Sequence, residues 1–114
     1  MKRDYLLYIK DILDSINRIE EFIGDMDYDD FVADDKTSSA VIHKLEIMGE
    51  ASKNVSKDIK VKHKQIPWNE MARMRDKITH FYFGVDYEIV WKVVKENLPL
   101  LKDQIKAVLD ELSS

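Results

Sequence analysis

The segment that could carry chemistry runs from Arg75 to Tyr82 and reads Arg-Asp-Lys-Ile-Thr-His-Phe-Tyr. On a helix, Asp76 lies one turn before His80, where its carboxylate can accept the imidazole N–H and fix the tautomer of the ring. The guanidinium of Arg75 flanks the same surface and has a geometry suited to phosphate. Together these groups indicate phosphodiester cleavage. The spacing alone is more typical of an ordinary helix surface, with Asp76 paired to His80 and Arg75 solvated.

Cleavage without a metal is the chemistry that this sequence favours. The three histidines lie far apart, and no compact His, Asp and Glu grouping resembles a zinc or two-metal site. We therefore expect no metal and no other cofactor; if the substrate is RNA, its own 2′-hydroxyl can serve as the nucleophile. His80 would transfer protons and Arg75 would stabilise charge on the phosphate. Because one imidazole cannot readily be base and acid in the same event, we expect a twofold dimer that brings two motifs to one cleft.

The motif is predicted to lie on one continuous helix, which starts at Pro67 and stops at Gly84. Apolar positions recur at helical spacing and predict one buried face, formed by Met71, Met74, Ile78 and Phe81. Polar positions form two further stripes, with Arg75, Thr79 and Tyr82 on one and Asp76 and His80 on the other. The chemically capable side chains are thus sorted by face.

The order Arg75, His80, Tyr82 fits an Arg-x4-His-x-Tyr signature, and the chain resembles the HepT toxins of the HEPN superfamily of small helical ribonucleases. The similarity extends through most of the chain, at 45–51, 66–68, 85–87, 90–91 and 98–101. An Arg-x4-His spacing alone occurs by chance in many proteins, whereas the tyrosine and the flanking landmarks make the match specific. His43 departs from the family, which has Arg there, and this puts in doubt an auxiliary phosphate contact from its helix.

The resemblance implies that residues 1–114 form a single HepT-like helical domain that cleaves RNA as a homodimer or a larger assembly. It assigns catalysis to Arg75 and His80 and gives Asp76 a supporting role. It also implies a toxin–antitoxin pair, in which an MntA-type minimal nucleotidyltransferase silences the toxin by transferring AMP to Tyr82. The alternative is a non-catalytic module that binds a nucleotide or docks such a nucleotidyltransferase.

Several other residues have open roles. Lys77, Thr79 and Arg73 are candidate RNA contacts, although solvation is the simpler interpretation for Lys77 and Thr79. Trp68 and Trp91 are expected to pack in the protein instead of stacking on bases. Glu50 is either structural or the partner of a basic site residue, and the sequence does not choose between these two roles.

Composition sets the general class of the protein. The 114 residues are enough for one domain, and a hydrophobic content of 45% with 35% charged residues is typical of a soluble globular protein. The absence of cysteine, of a long apolar run and of a signal-like start leads us to expect a cytoplasmic protein. The net charge is −4, yet the lysines of residues 53–64 form a basic stretch that could hold a polyanion locally, or could simply be solvated.

The scarcity of Gly and Pro predicts an all-α fold, a four- to five-helix up-and-down bundle. We expect a first helix over 4–23, an acidic loop over 25–33 and a second helix from Asp34 or Asp35 to Val55. The apolar side of the first helix is predicted to consist of Tyr5, Ile9, Ile12, Ile16, Ile19 and Ile23. Gly49 lies inside that second helix, which indicates a close approach by another helix. Residues 58–66 should form a linker, Asp86 should cap a fourth helix, and Leu98-Pro99 should break or bend the path before a last amphipathic segment.

Overall fold

The computed structural model describes residues 2–80 and 84–113 and confirms the prediction of an all-α fold. The α-helices are α1 (Lys2–Ile23), α2 (Tyr28–Ala33), α3 (Asp35–Lys53), α4 (Lys57–Lys62), α5 (Trp68–Ala72), α6 (Met74–Ile78), α7 (Tyr87–Lys92) and α8 (Leu98–Ser113). Two short strands, β1 (Thr79–His80) and β2 (Gly84–Val85), follow α6, and a π-helical turn (Val93–Asn97) joins α7 to α8. Within these ranges, no helix has both the length and the apolar character needed to cross a membrane.

The core forms where α1 packs along α3 and α8. The face that α1 presents to these helices is lined by isoleucines at helical spacing, and Ile9, Ile12, Ile16 and Ile19 are each 0% exposed. This confirms the predicted apolar side of the first helix, apart from Tyr5, whose side chain lies outside the described residues. The helix ends where expected, because Gly24 has a φ of 50°, a conformation that glycine adopts without steric cost.

The predicted acidic loop is wrong, because residues 28–33 form α2. Asp27 caps this helix by accepting a hydrogen bond from the backbone N–H of Asp30 at 2.8 Å, and the Asp30 carboxylate accepts one from the Asp27 N–H at 3.2 Å. This reciprocal arrangement stabilises the start of a helix. Phe31 is fully buried, and its ring centroid lies 5.3 Å from that of Trp91. The side chain of Phe31 therefore attaches the segment to the core, and Trp91 serves in packing as predicted.

The predicted close approach at Gly49 is confirmed. Asp34 starts α3 by accepting a hydrogen bond from the Thr37 backbone N–H at 3.0 Å, and α3 then runs beneath α5. A Cβ atom built on Gly49 would lie only 2.8 Å from the backbone oxygen of Met71 in α5. Glycine is therefore required for α5 to lie this close to α3.

Residues 57–62 form α4 where a linker was expected. The helix is capped by Ser56 and buries Ile59 against the core. Its carboxyl end is tied to α8, because Lys62 pairs with Glu111 and the Nε2 atom of His63 lies 3.0 Å from the same carboxylate. The hydrogen bond from Lys62 and the charges of Lys62 and His63 lower the pKa of Glu111 below its ordinary value.

The prediction of one continuous motif helix is wrong. The chain leaves the helix after Ala72, forms the single turn α6, and then becomes extended at Thr79, which has φ −118° and ψ 124°. Thr79 and His80 pair antiparallel with Val85 and Gly84 in a two-residue ladder. A β-branched threonine suits extended backbone, and Gly84 takes the positive φ of 77° that the return of the chain requires.

This break changes the predicted stripes. Met71, Met74 and Ile78 are buried as expected, whereas Phe81 lies outside the described residues. The polar stripes that joined Arg75 to Thr79, and Asp76 to His80, do not exist as helical faces, because the helix ends at Ile78.

Of the break or bend predicted at Leu98-Pro99, the break is wrong, because the chain stays helical there. Asp86 caps α7 as expected, by accepting a hydrogen bond from the Ile89 backbone N–H at 3.1 Å. Beyond α7, the π-helical turn carries the chain into α8, and Leu98 has helical dihedral angles of φ −63° and ψ −37°. A proline lacks the N–H that would continue the ladder of hydrogen bonds, and a wider turn before it is one way to accommodate the ring.

Substitution of Gly49 tests the contact between α3 and α5. Alanine gains about 1 kcal/mol in helix propensity, but the clash with a backbone oxygen should cost about 1–3 kcal/mol because the backbone cannot rotate away. We therefore expect Gly49→Ala to lower the midpoint of urea unfolding. Ser39→Ala, at an exposed position of the same helix, is the matched control and should not lower it. A Gly49→Ala protein more stable than wild type would contradict the close contact.

The Asp34 cap predicts a specific pH dependence of stability. The hydrogen bonds from Thr37 lower the pKa of Asp34 below its ordinary value of 3.8. A carboxyl group with a lowered pKa stabilises the folded state above its unfolded pKa, and this contribution is lost as the pH falls through the folded pKa. Asp34→Ala should therefore unfold at lower urea than wild type at neutral pH, with the difference narrowing below pH 3.8. Asp34→Ser keeps a capping oxygen and should fall between the two.

Candidate active site

A surface pocket of about 360 Å³ lies where α6 meets α3. We call it the Arg75 pocket, and it is lined by Glu46, Gly49, Glu50, Lys53, Ala72, Arg75 and Asp76. The bare backbone of Gly49 allows α5 to lie directly on α3, so the first turn of α6 begins beside the exposed side of α3. The contact between the two helices therefore creates the pocket and places two of the predicted site residues, Arg75 and Asp76, in it.

Arg75 projects into solvent at the edge of this pocket. Its side chain is 80% exposed, and its Nε atom lies 3.8 Å from Oε2 of Glu46. An ion pair this exposed contributes only about 0–1 kcal/mol, so a phosphate group can replace the carboxylate at little cost. Glu46 was not predicted as a site residue, because its contact with Arg75 joins two helices that are far apart in the sequence.

Glu50 forms an ion pair within α3. Its Oε1 atom lies 3.1 Å from Nζ of Lys53, one turn further along α3, so its partner is a lysine of its own helix. The adjacent groove between α1 and α3, about 370 Å³ in volume, shares Glu46 and Glu50 with the Arg75 pocket. His43 lines this groove and does not line the Arg75 pocket.

The described residues include only the backbone of His80. It lies in β1, two residues beyond α6, and is paired with Gly84. The Asp86 N–H donates to the Ile78 carbonyl at 2.7 Å and closes the base of this hairpin. The side chain of His80 and the whole of Tyr82 lie outside the described residues. The roles of His80 and Tyr82, and the orientation of His80 by Asp76, therefore stay predictions.

The candidate RNA contacts separate onto different surfaces. Lys77 lines a groove between α6 and the start of α8, together with Glu96 and Asn97. It does not line the Arg75 pocket. Arg73 and Thr79 are exposed. Trp68 is 6% exposed and its Nε1–H donates to the His63 carbonyl at 3.0 Å, so this indole belongs to the packing of α5.

The charge of the Arg75 pocket is mixed. Its lining side chains include the carboxylates of Glu46, Glu50 and Asp76 and the cations of Lys53 and Arg75. Across residues 2–80 and 84–113, no group of three His, Cys, Asp or Glu side chains is arranged to hold a metal ion. The chemical group that the pocket offers to a ligand is thus the guanidinium of Arg75, which is suited to an anion such as phosphate.

Comparison with known proteins gives the class of the chain. The family model described as "Ribonuclease HepT-like" matches residues 12–108. A protein of Thermococcus cleftensis named "Probable ribonuclease HepT" is 53% identical over 106 residues, which cover 93% of this chain and 96% of that protein. The chain therefore belongs to the HepT-like ribonuclease family.

Two further relatives have names of the same kind. A protein of Methanocaldococcus jannaschii, provisionally named an RNase, is 41% identical over 97% of this chain and 92% of its own length. Another, from Caldanaerobacter subterraneus and named in the same way, is 39% identical over 91% of this chain and 93% of its own length. No solved structure gives a significant match.

Proposed function

We propose that this protein is a metal-independent endoribonuclease and the toxin of a HepT/MntA-type toxin–antitoxin pair. The observation that carries the proposal is the exposed guanidinium of Arg75, which forms a weak ion pair with Glu46 and is located five residues before His80 in a HepT-like chain. The ribonuclease names of the relatives support RNA as the substrate.

Cleavage proceeds by attack of the 2′-hydroxyl oxygen on the adjacent phosphorus. The bond from the 2′-oxygen to phosphorus forms and the bond from phosphorus to the 5′-oxygen breaks. His80 accepts the proton of the 2′-hydroxyl, and a second imidazole gives a proton to the departing 5′-oxygen. Arg75 donates hydrogen bonds to the phosphate oxygens, where negative charge increases in the transition state. The products are a 2′,3′-cyclic phosphate and a 5′-hydroxyl end.

A homodimer supplies the second imidazole. Each chain carries one Arg75 and one His80, so a twofold axis beside the motif brings two of each to one cleft. Asp76 lies in the same pocket as Arg75, and its proposed role is to orient His80. Because the helix ends at Ile78, the proposed contact would join a helical turn to an extended strand, not two positions on one helix.

Glu46 holds Arg75 before RNA binds. Without RNA, its carboxylate lies 3.8 Å from Arg75 and keeps the guanidinium at the rim of the pocket. When RNA binds, a phosphate takes over this contact, since a charge-assisted and bidentate hydrogen bond is stronger than an exposed ion pair.

Silencing occurs at Tyr82, which is two residues beyond His80 in the sequence. An MntA-type nucleotidyltransferase transfers AMP from ATP to the phenolic oxygen, with release of pyrophosphate. The new phosphodiester carries negative charge, so it competes with RNA for Arg75 and adds bulk close to His80. The resemblance to HepT toxins supports this step.

Substitution of the two signature residues tests the nuclease. We expect His80→Ala to lower the rate of RNA cleavage by about 10²–10⁴-fold, because general acid–base catalysis is lost. Arg75→Ala should lower it by about 10²–10³-fold, because a donor to the developing charge is removed. Cleavage of labelled RNA in EDTA, with analysis of the ends, is the measurement, and single-stranded DNA of the same sequence should stay intact.

Arg18→Ala is the matched control, since Arg18 is an exposed arginine of α1 that pairs only with its neighbour Glu21 among the described residues. It should cleave as wild type does. Arg75→Ala should also unfold as wild type does, because its side chain is 80% exposed. Full cleavage by either signature variant would reject the assignment of catalysis to that residue, whereas no cleavage by the wild-type chain would favour the non-catalytic docking module.

Modification of Tyr82 has its own test. Incubation with an MntA-type nucleotidyltransferase and ATP should add AMP, seen as a mass increase, and should stop RNA cleavage. Tyr82→Phe lacks the acceptor oxygen and should keep its mass and its activity under the same treatment. Tyr87→Phe, a nearby tyrosine change, is the control and should be modified as wild type is. A Tyr82→Phe protein that still gains AMP would place the acceptor elsewhere.

A further inference from the structure

The lysines of the basic stretch at 53–64 separate into different surroundings in the structure. Lys62 is paired with Glu111 and helps to tie α4 to α8. Lys60 and Lys64 instead line a second open pocket, about 370 Å³ in volume, between α4 and α5. Asn69 and Glu70 of α5 form the opposite side of that pocket.

This second pocket lies beside the Arg75 pocket. Asn69 lines the second pocket and Ala72 lines the Arg75 pocket. The two residues are three positions apart on α5, so they lie on the same side of the helix and about 4.5 Å apart along its axis. Arg73, four positions after Asn69, is exposed and extends this surface. We name the region formed by Lys60, Lys64, Asn69 and Arg73 the α4–α5 surface.

The charges of the α4–α5 surface differ from those of the Arg75 pocket. The Arg75 pocket contains three carboxylates, those of Glu46, Glu50 and Asp76, beside its two cations. A polyanion is therefore poorly held there by charge alone, although Arg75 can bind one phosphate. The pocket between α4 and α5 has the opposite balance, because Lys60 and Lys64 line it with the single carboxylate of Glu70. Arg73 adds an exposed cation after α5. Cations next to a catalytic pocket supply the binding free energy that the pocket lacks.

We infer that the α4–α5 surface is the binding track for the RNA strand that flanks the scissile phosphate. The strand leaves the Arg75 pocket across Ala72, crosses α5 beside Arg73 and places backbone phosphates on Lys60 and Lys64. This inference rests on the proposed ribonuclease function and names the surface that holds its substrate.

The chemistry of the track predicts how it recognises RNA. Lysine ammonium groups contact phosphates as point charges and do not read the bases. Trp68, the aromatic residue that lines this pocket, uses its indole N–H to bind the His63 carbonyl and is too buried to stack on a base. Binding along the track is therefore independent of sequence, dependent on salt and shared by single-stranded DNA, whereas cleavage needs the 2′-hydroxyl.

The test measures binding separately from cleavage. The full chain with His80→Ala is titrated into a fluorescently labelled single-stranded RNA, and anisotropy is recorded over a series of salt concentrations. Lys60→Gln and Lys64→Gln are then added together to this protein. Lys10→Gln with Lys106→Gln, at exposed positions of α1 and α8, gives the same change of charge and serves as the matched control.

We expect the Lys60 and Lys64 pair of substitutions to weaken RNA binding by tenfold or more. The slope of log K against log salt should become shallower by about 1.4, because each phosphate contact on a single strand contributes about 0.7. The control pair should leave both quantities close to those of the His80→Ala protein. In the chain with an intact His80, the same pair should raise KM for RNA with little change in kcat.

The outcomes separate the track from the nuclease. Three results would overturn the proposed track. They are equal weakening of RNA binding by both pairs of substitutions, no weakening by the Lys60 and Lys64 pair, and no RNA binding by any of the proteins. If the wild-type chain fails to cleave RNA but only the Lys60 and Lys64 pair weakens binding, the track stands as an RNA-binding surface and the nuclease proposal fails.

Discussion

The close contact between α3 and α5 is the constraint on which the candidate site depends. A glycine at position 49 leaves room for the backbone oxygen of Met71 at a distance that no side chain would permit. This contact sets the level at which α6 begins, and so brings Arg75 over the carboxylates of α3. The position of the Arg75 guanidinium is therefore determined by backbone packing, while its own ion pair with Glu46 is weak. A rigid support with a loosely held side chain suits the exchange of partners that we propose for Arg75.

Much of the scaffold could be predicted from the sequence, because it follows from local periodicity and capping. The isoleucine face of α1, the caps at Asp34 and Asp86 and the close approach at Gly49 were all recognisable from residue type and spacing. The acidic residues before α2 were misread as a loop, although Asp27 and Asp30 are three positions apart and cap each other. Acidic runs can therefore conceal a helix start when they are judged by charge alone.

The candidate site was less predictable than the scaffold. The apolar spacing of Met71, Met74 and Ile78 is helical, and it conceals a break at Arg73 and an extended segment from Thr79. Local preference was overridden there by the pairing of β1 with β2. The involvement of Glu46 depends on a contact between segments almost thirty residues apart, which no pattern within one helix can reveal. The sequence motif gave the candidate site residues, whereas their positions could be known only from the folded structure.

The number of residues in the π-helical turn at Val93–Asn97 is a structural requirement. A π-helical turn contains more residues than an α-helical one, and this number sets the rotation of the buried face of α8 relative to that of α7. Trp91 and Val90 face the core before the turn, and Leu98 and Leu101 do so after it. Removal of one residue from the turn would rotate one of these faces by about 100° relative to the other. Homologues should therefore tolerate changes of side chain in this segment far better than insertions or deletions.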